Sequence, residues 1–152
     1  MTIKTVDILF RRSIFVLYFL IFSLAWLAPV TQHVNGYPAG ENLYSLFSPV
    51  CHQYPTRSFW IFDRPWALCA RCSSAYLGLA LASFIPFAAF SYARRALFGI
   101  GLIILVAIDP LLQLFGFYES TNLLRFITGL IGGFGAFLLI YPIPFKQKER
   151  HL

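Results

Sequence analysis

The sequence predicts an all-α integral membrane protein, a four-helix bundle with both termini in the cytoplasm. Three observations carry that expectation. Of 152 residues, 59% are apolar and only 12% are charged, whereas an ordinary soluble domain is about 45–50% apolar and about 25% charged. Four long windows carry almost no charge, and the twelve Lys and Arg residues flank those windows unequally. The composition excludes disorder, a coiled coil and a small disulfide-stapled module. The net charge of +6 does not point to nucleic acid, because the basic residues sit beside apolar spans and act as topology signals.

The first span is expected over residues 13–31, since no charge occurs between Arg12 and Glu41. At about 1.5 Å per helical residue it suffices for a hydrocarbon core of about 30 Å. It exceeds the apolar core of a signal peptide, about 7–15 residues, and is read as an uncleaved anchor. An outward loop, 32–68, follows. The second span, 70–92, contains Pro86, which is expected to kink it. The third, 96–117, is broken only by Asp109, and the fourth, 122–143, carries a small-residue packing face at Gly129, Gly132, Gly133 and Gly135. Trp26 and Tyr141 read as interfacial anchors. The four spans make one domain over residues 1–152.

Orientation follows from the basic residues. Lys4, Arg11, Arg12, Arg94, Arg95, Lys146, Lys148 and Arg150 fall on one side, and Arg57, Arg64, Arg71 and Arg125 on the other. The positive excess stays in the cytoplasm, so a multi-pass protein of the cell (inner) membrane is expected. Its long loop and the turn at Glu119 then face outward. On the cytoplasmic side the sequence offers only solvated basic residues.

All three cysteines, Cys51, Cys69 and Cys72, fall within 22 residues, and His52 follows the first. A Cys-x-x-Cys turn delivers two sulfurs to one ion, so Cys51, His52, Cys69 and Cys72 are candidate ligands for a metal, zinc in the first place. His52 is the weakest of the four, because adjacent residues reach one ion only if the backbone bends. Ser73 after Cys72 excludes the haem-attachment pattern. A disulfide or redox dithiol remains open, since an outward loop lies in an oxidising compartment.

Asp109 lies roughly 14 Å from the outer end of its helix, and an intramembrane carboxylate is a functional candidate by default. Pro110 deprives the Val106 carbonyl of its helical partner, and Gln113 shares the face of Asp109. A buried ion pair with Arg71 or Arg125 is the alternative role. Ser120, Thr121 and Asn122 supply an N-cap, with Glu119 at the positive helix end. Capping does not explain Arg125, which would be costly facing lipid. Cys69, Cys72, Tyr76, Asp109, Gln113, Asn122 and Arg125 therefore occupy one level, over which the loop with Cys51, His52 and Arg57 can fold. Asp109, Glu119, Arg57, Arg71 and Arg125 are the candidate catalytic residues of an outward pocket.

Cys51-His52-Gln53, Pro55, Arg57-Ser58-Phe59, Cys69-Ala70-Arg71-Cys72, Tyr76, Gly78, Asp109, Gln113, Gly116, Glu119-Ser120-Thr121-Asn122 and Arg125 resemble the motifs of a prokaryotic membrane family, domain of unknown function two thousand and eighty-five. The resemblance runs from about Phe47 to Gly133. Two positions depart from it: Ser73-Ser74 stands where Thr-Gly is common, and Pro110 where Gly is common. The resemblance implies that these residues form one site, and brings no activity with it.

Three functions fit the residues. The first is a metal-dependent enzyme on a lipid or other membrane-soluble substrate, with Asp109 or Glu119 as base and Arg57, Arg71 and Arg125 holding a phosphate or carboxylate. The second is a quinone-linked thiol-disulfide oxidoreductase, similar in outline to the vitamin K epoxide reductase family, with Cys69 as the reactive thiolate at a helix N-terminus. Its loop brings one cysteine where that family brings a pair. The third is a metal-stabilised membrane scaffold or subunit. Membrane lipid is the expected surrounding in each, and no nucleic acid is expected as partner.

Overall fold

A computed structural model describes residues 3–86 and 91–141. These residues form α1 (Ile3–Asn35), α2 (Tyr37–Phe47), a 3-10 turn (Pro55–Arg57), a hairpin of β1 (Trp60–Ile61) and β2 (Arg64–Pro65), α3 (Ala70–Ala82), α4 (Tyr92–Leu114) and α5 (Asn122–Ile140). Among the described residues the fold is all-helical apart from that hairpin. Three stretches, Thr5–Asn35, Tyr92–Leu114 and Asn122–Ile140, are long and apolar enough to cross a membrane. Lys146, Lys148, Arg150 and the end of the expected fourth span lie outside the described residues, as do residues 87–90 of the second.

The second span differs from expectation. α3 has 13 residues, about 20 Å of helix, and it ends before Pro86 instead of being kinked by it. Two causes act together. Proline disfavours helical geometry at the residue before it, and Arg11 caps the end of α3: its Nε donates to the Ser83 carbonyl at 2.7 Å and its Nη2 to the Phe84 carbonyl at 2.6 Å.

α1 is longer than expected at both ends and carries Pro29 in its interior. With no N–H at Pro29, the Ala25 carbonyl loses its intrahelical donor. The amide of Ala67 takes its place at 3.2 Å, so a defect in α1 anchors the chain just before α3. Pro29→Ala should supply a competing donor and speed hydrogen exchange at the Ala67 amide. Unchanged protection there would show that the carbonyl is not the anchor.

Residues 32–68 are a folded cap, not an open loop. Phe62 and Asp63 have φ of 52° and 58°, as a two-residue type I′ hairpin requires. The Phe62 ring stacks on His33 at 4.3 Å, and Arg64 Nη1 donates to Gln32 Oε1 at 3.1 Å. Both contacts hold the hairpin on the end of α1.

α5 packs against both α3 and α4, and α1 against α2 and α3. The glycine face foreseen on α5 is where this happens. A Cβ at Gly133 would sit 2.0 Å from the Ala75 carbonyl oxygen, and one at Gly129 would sit 2.3 Å from that of Arg71. Backbone thus meets backbone along α3 and α5, as small residues allow in membranes. Side chains such as Leu97, Phe98, Ile104 and Leu105 of α4 stay exposed, as a lipid-facing helix requires.

The far end of the helices corrects two expectations. Tyr141 is buried, and its hydroxyl donates to Asp7 Oδ1 at 2.5 Å. Arg11 lies 3.8 Å from the other Asp7 oxygen, and the Arg95 guanidinium stands 5.4 Å from the Tyr141 ring centre. Tyr141 is therefore a latch between α1 and α5 and not an interfacial anchor, and this end also carries a polar set.

Candidate functional site

Cys51 is set by the end of α2, whose Phe47 carbonyl accepts its amide at 3.0 Å. Two residues on, Gln53 adopts the left-handed conformation, φ 53°, which is uncommon for a residue with a side chain. Its three hydrogen bonds account for this. The Gln53 amide donates to Cys51 Sγ at 3.4 Å, and its Nε2 donates to the carbonyls of Tyr44 at 2.7 Å and Ala67 at 2.8 Å. Gln53 thereby ties α2 to the segment that leads into α3.

Cys69 is the N-cap of α3, and Cys72 lies in its first turn, so the two sulfurs share one helix face. The amide of Cys69 donates to Cys51 Sγ at 3.3 Å. The three Sγ atoms all lie within 4.8 Å of one another, and all three thiols are free. Hydrogen bonds from the Cys69 and Cys72 thiols, with those two amides, hold the Cys51 thiol well below its ordinary pKa. Ala25, Ala28, Phe47 and Leu68 wall the cluster. A set of convergent thiols with amide donors suits a thiophilic metal ion.

His52 lies outside this group. It is exposed, and its ring stacks on Tyr54 at 5.7 Å. The expected four-ligand set reduces to three sulfurs in this geometry, because the backbone turn at Gln53 aims Cys51 inward and its neighbour out.

Asp109 is buried in α4 and accepts from Arg71 Nη2 on one oxygen and from the Tyr118 hydroxyl on the other. Its ion-pair partner is thus Arg71 and not Arg125, since the close approach of α3 to α5 places Arg71, between Cys69 and Cys72, toward α4. Tyr118 is a site residue that the sequence did not single out, whereas Gln53 stood there only as part of the family motif. Gln113 donates to the Asp109 carbonyl at 3.1 Å, an ordinary one-turn contact.

Arg57, Arg125 and Glu119 meet at a different place, a cavity of about 320 Å³ also lined by Thr56, Gln113 and Asn122. Asn122 Nδ2 donates to the Ser58 carbonyl at 3.0 Å, and its Oδ1 accepts from Arg125 Nη1 at 2.9 Å. The cap and α5 are joined there. Glu119 is exposed at the rim, and the Arg57 guanidinium lies 5.4 Å from the Tyr54 ring centre. The candidate residues therefore form a thiol cluster, an Arg71–Asp109–Tyr118 set and a cationic cavity.

The family described as "Predicted membrane protein (DUF2085)" matches residues 51–139, which span all three sets. The chain belongs to this family. It is 43% identical over 110 residues to an uncharacterised protein of Methanocaldococcus jannaschii, covering 69% of this chain and 70% of that relative. An uncharacterised protein of Methanothermobacter thermautotrophicus is 36% identical over 102 residues, covering 61% of this chain and 86% of that relative. No solved structure matches.

Proposed function

We propose that this member of the family is a four-pass protein of the cell membrane, both termini cytoplasmic, with an outward metal centre of Cys51, Cys69 and Cys72 that serves an enzyme on a membrane-soluble anionic substrate. The convergence of three thiols carries the reading. A disulfide uses two sulfurs and leaves the third without a task, whereas one ion engages all three. Three protein ligands would leave a four-coordinate ion one position for substrate, the pattern of catalytic sites. A zinc ion held by Cys51, Cys69 and Cys72 would supply Lewis acidity. In this reading Arg57 and Arg125 hold the anionic group of a substrate that reaches from their cavity to the thiols, and Glu119, whose carboxylate makes no hydrogen bond among the described residues, moves a proton. Asp109, engaged on both oxygens, positions α3 against α4.

Ala25 of α1 meets Ala67, and Arg11 meets Ser83, so α1 and α3 run antiparallel between two levels about 21 Å apart; α3 covers that part of a core of about 30 Å, and the fourth pass in this reading needs residues beyond it. A reporter active only outside the cytoplasm should work when fused after Asn42 and fail when fused after Leu152. The reverse result would turn the site inward and defeat the proposed topology.

Purified protein is expected to hold about one zinc per chain and to resist alkylation until a chelator is added. Each single Cys→Ser variant should lose the ion, while His52→Ala should keep it. A metal-free protein whose thiols appear only after reduction would replace this reading with the quinone-linked oxidoreductase. Stoichiometric zinc without turnover of any membrane-soluble substrate would leave the metal-stabilised scaffold.

A further inference from the structure

The cavity at the start of α5 holds more positive charge than its walls balance. Arg125 is 8% exposed, and its Nη1 is engaged by Asn122. Its Nε is buried and makes no hydrogen bond among the described residues, which is costly for a charged donor. Asp109 lies near enough to act on Arg125 through its charge, but it accepts its hydrogen bonds from Arg71 and Tyr118. Arg57 brings a second guanidinium to the same cavity, and among the described residues its side chain makes no hydrogen bond. Glu119 at the rim offsets one charge at most.

The backbone adds to this surplus. The first amides of a helix lack intrahelical acceptors, and their dipoles favour an anion. Thr121 Oγ1 accepts from the Leu124 amide at 3.3 Å and satisfies that one alone. We infer that the cavity binds an anionic phosphate group, held by Arg57, Arg125 and the amino end of α5. Guanidinium forks match phosphate oxygens in geometry, and two of them with a helix end keep a positive surplus after Glu119 is counted. About 320 Å³ lies at the lower end of ligand pockets, about 300–1,000 Å³, which suits a headgroup-sized ligand. The inference names the anionic group of the substrate proposed above and rests on that reading for turnover alone; binding stands on the cavity.

The test is calorimetric titration of the full chain in neutral detergent. Inorganic phosphate is one titrant, and micelles carrying phosphatidic acid are the other, with diacylglycerol as the control that lacks only the phosphate. Binding of phosphatidic acid alone supports a lipid phosphate, and equal binding of inorganic phosphate supports a soluble one. Arg57→Gln should weaken binding about tenfold or more with zinc content unchanged. Arg125→Lys, which keeps the charge and removes the fork, should do the same if α5 stays docked. Equal uptake of phosphatidic acid and diacylglycerol, with no phosphate binding, would overturn the inference, as would affinity untouched by both variants. Phosphate binding by a protein that never holds zinc would overturn the metal reading and leave this one standing.

Discussion

Gly133→Ala should push α3 off α5 and produce the largest loss of stability of any single methyl added to this protein. The new Cβ would lie 2.0 Å from the Ala75 carbonyl oxygen and 2.8 Å from its carbon, and backbone atoms cannot rotate away as a side chain can. Overpacking costs about 1–3 kcal/mol where side chains adjust, so a clash with backbone is expected at or above the top of that range. Gly101 is the control, since a Cβ there meets nothing within 4 Å. Gly101→Ala should be neutral or stabilising by up to about 1 kcal/mol, the helix-propensity difference. Thermal unfolding of both variants in one detergent measures the contrast. Equal midpoints would mean that α3 and α5 do not touch along this face.

Asp109→Asn should be the most damaging change of a polar side chain, and its partner in a double-mutant cycle should be Arg71. Removing one member of a buried ion pair costs about 3–5 kcal/mol. The Arg71 side chain is 32% exposed, so water screens part of its charge and the lower end applies. Combining Asp109→Asn with Arg71→Gln should cost clearly less than the sum of the two. Asp109→Asn with Arg125→Gln should come closer to additivity, since Arg125 bonds Asn122 instead. A larger coupling to Arg125 than to Arg71 would contradict the pairing seen across α3 and α4.

The level of the site along the helices was legible in the sequence, because hydropathy windows fix where spans begin and motif spacing fixes depth. Rotation about each helix axis was not. Arg71 and Arg125 stood at the same depth as Asp109, and the choice between them depends on how far Gly129 lets α5 approach α3. Similarly, Cys51, Cys69 and Cys72 were recognisable by type and spacing, while the exclusion of His52 depends on one left-handed residue, Gln53, for which no local signal such as glycine exists. The length of α3 was hidden for a different reason. Apolar residues continue past Ala82, and the cap that ends the helix comes from Arg11, 72 residues away. Window averages do not register a donor so distant in the chain.

The position of α5 between α3 and α4 has a consequence for biosynthesis. α3 and α4 emerge first, yet the glycine-lined surface that unites them belongs to a helix still to be made. Until then α3 and α4 lack the helix that packs against both of them, so the Arg71–Asp109 pair reaches its final geometry only once α5 docks. The cationic cavity, which needs Arg125, can be finished only when α5 is present, whereas all three thiols lie upstream of it in the chain.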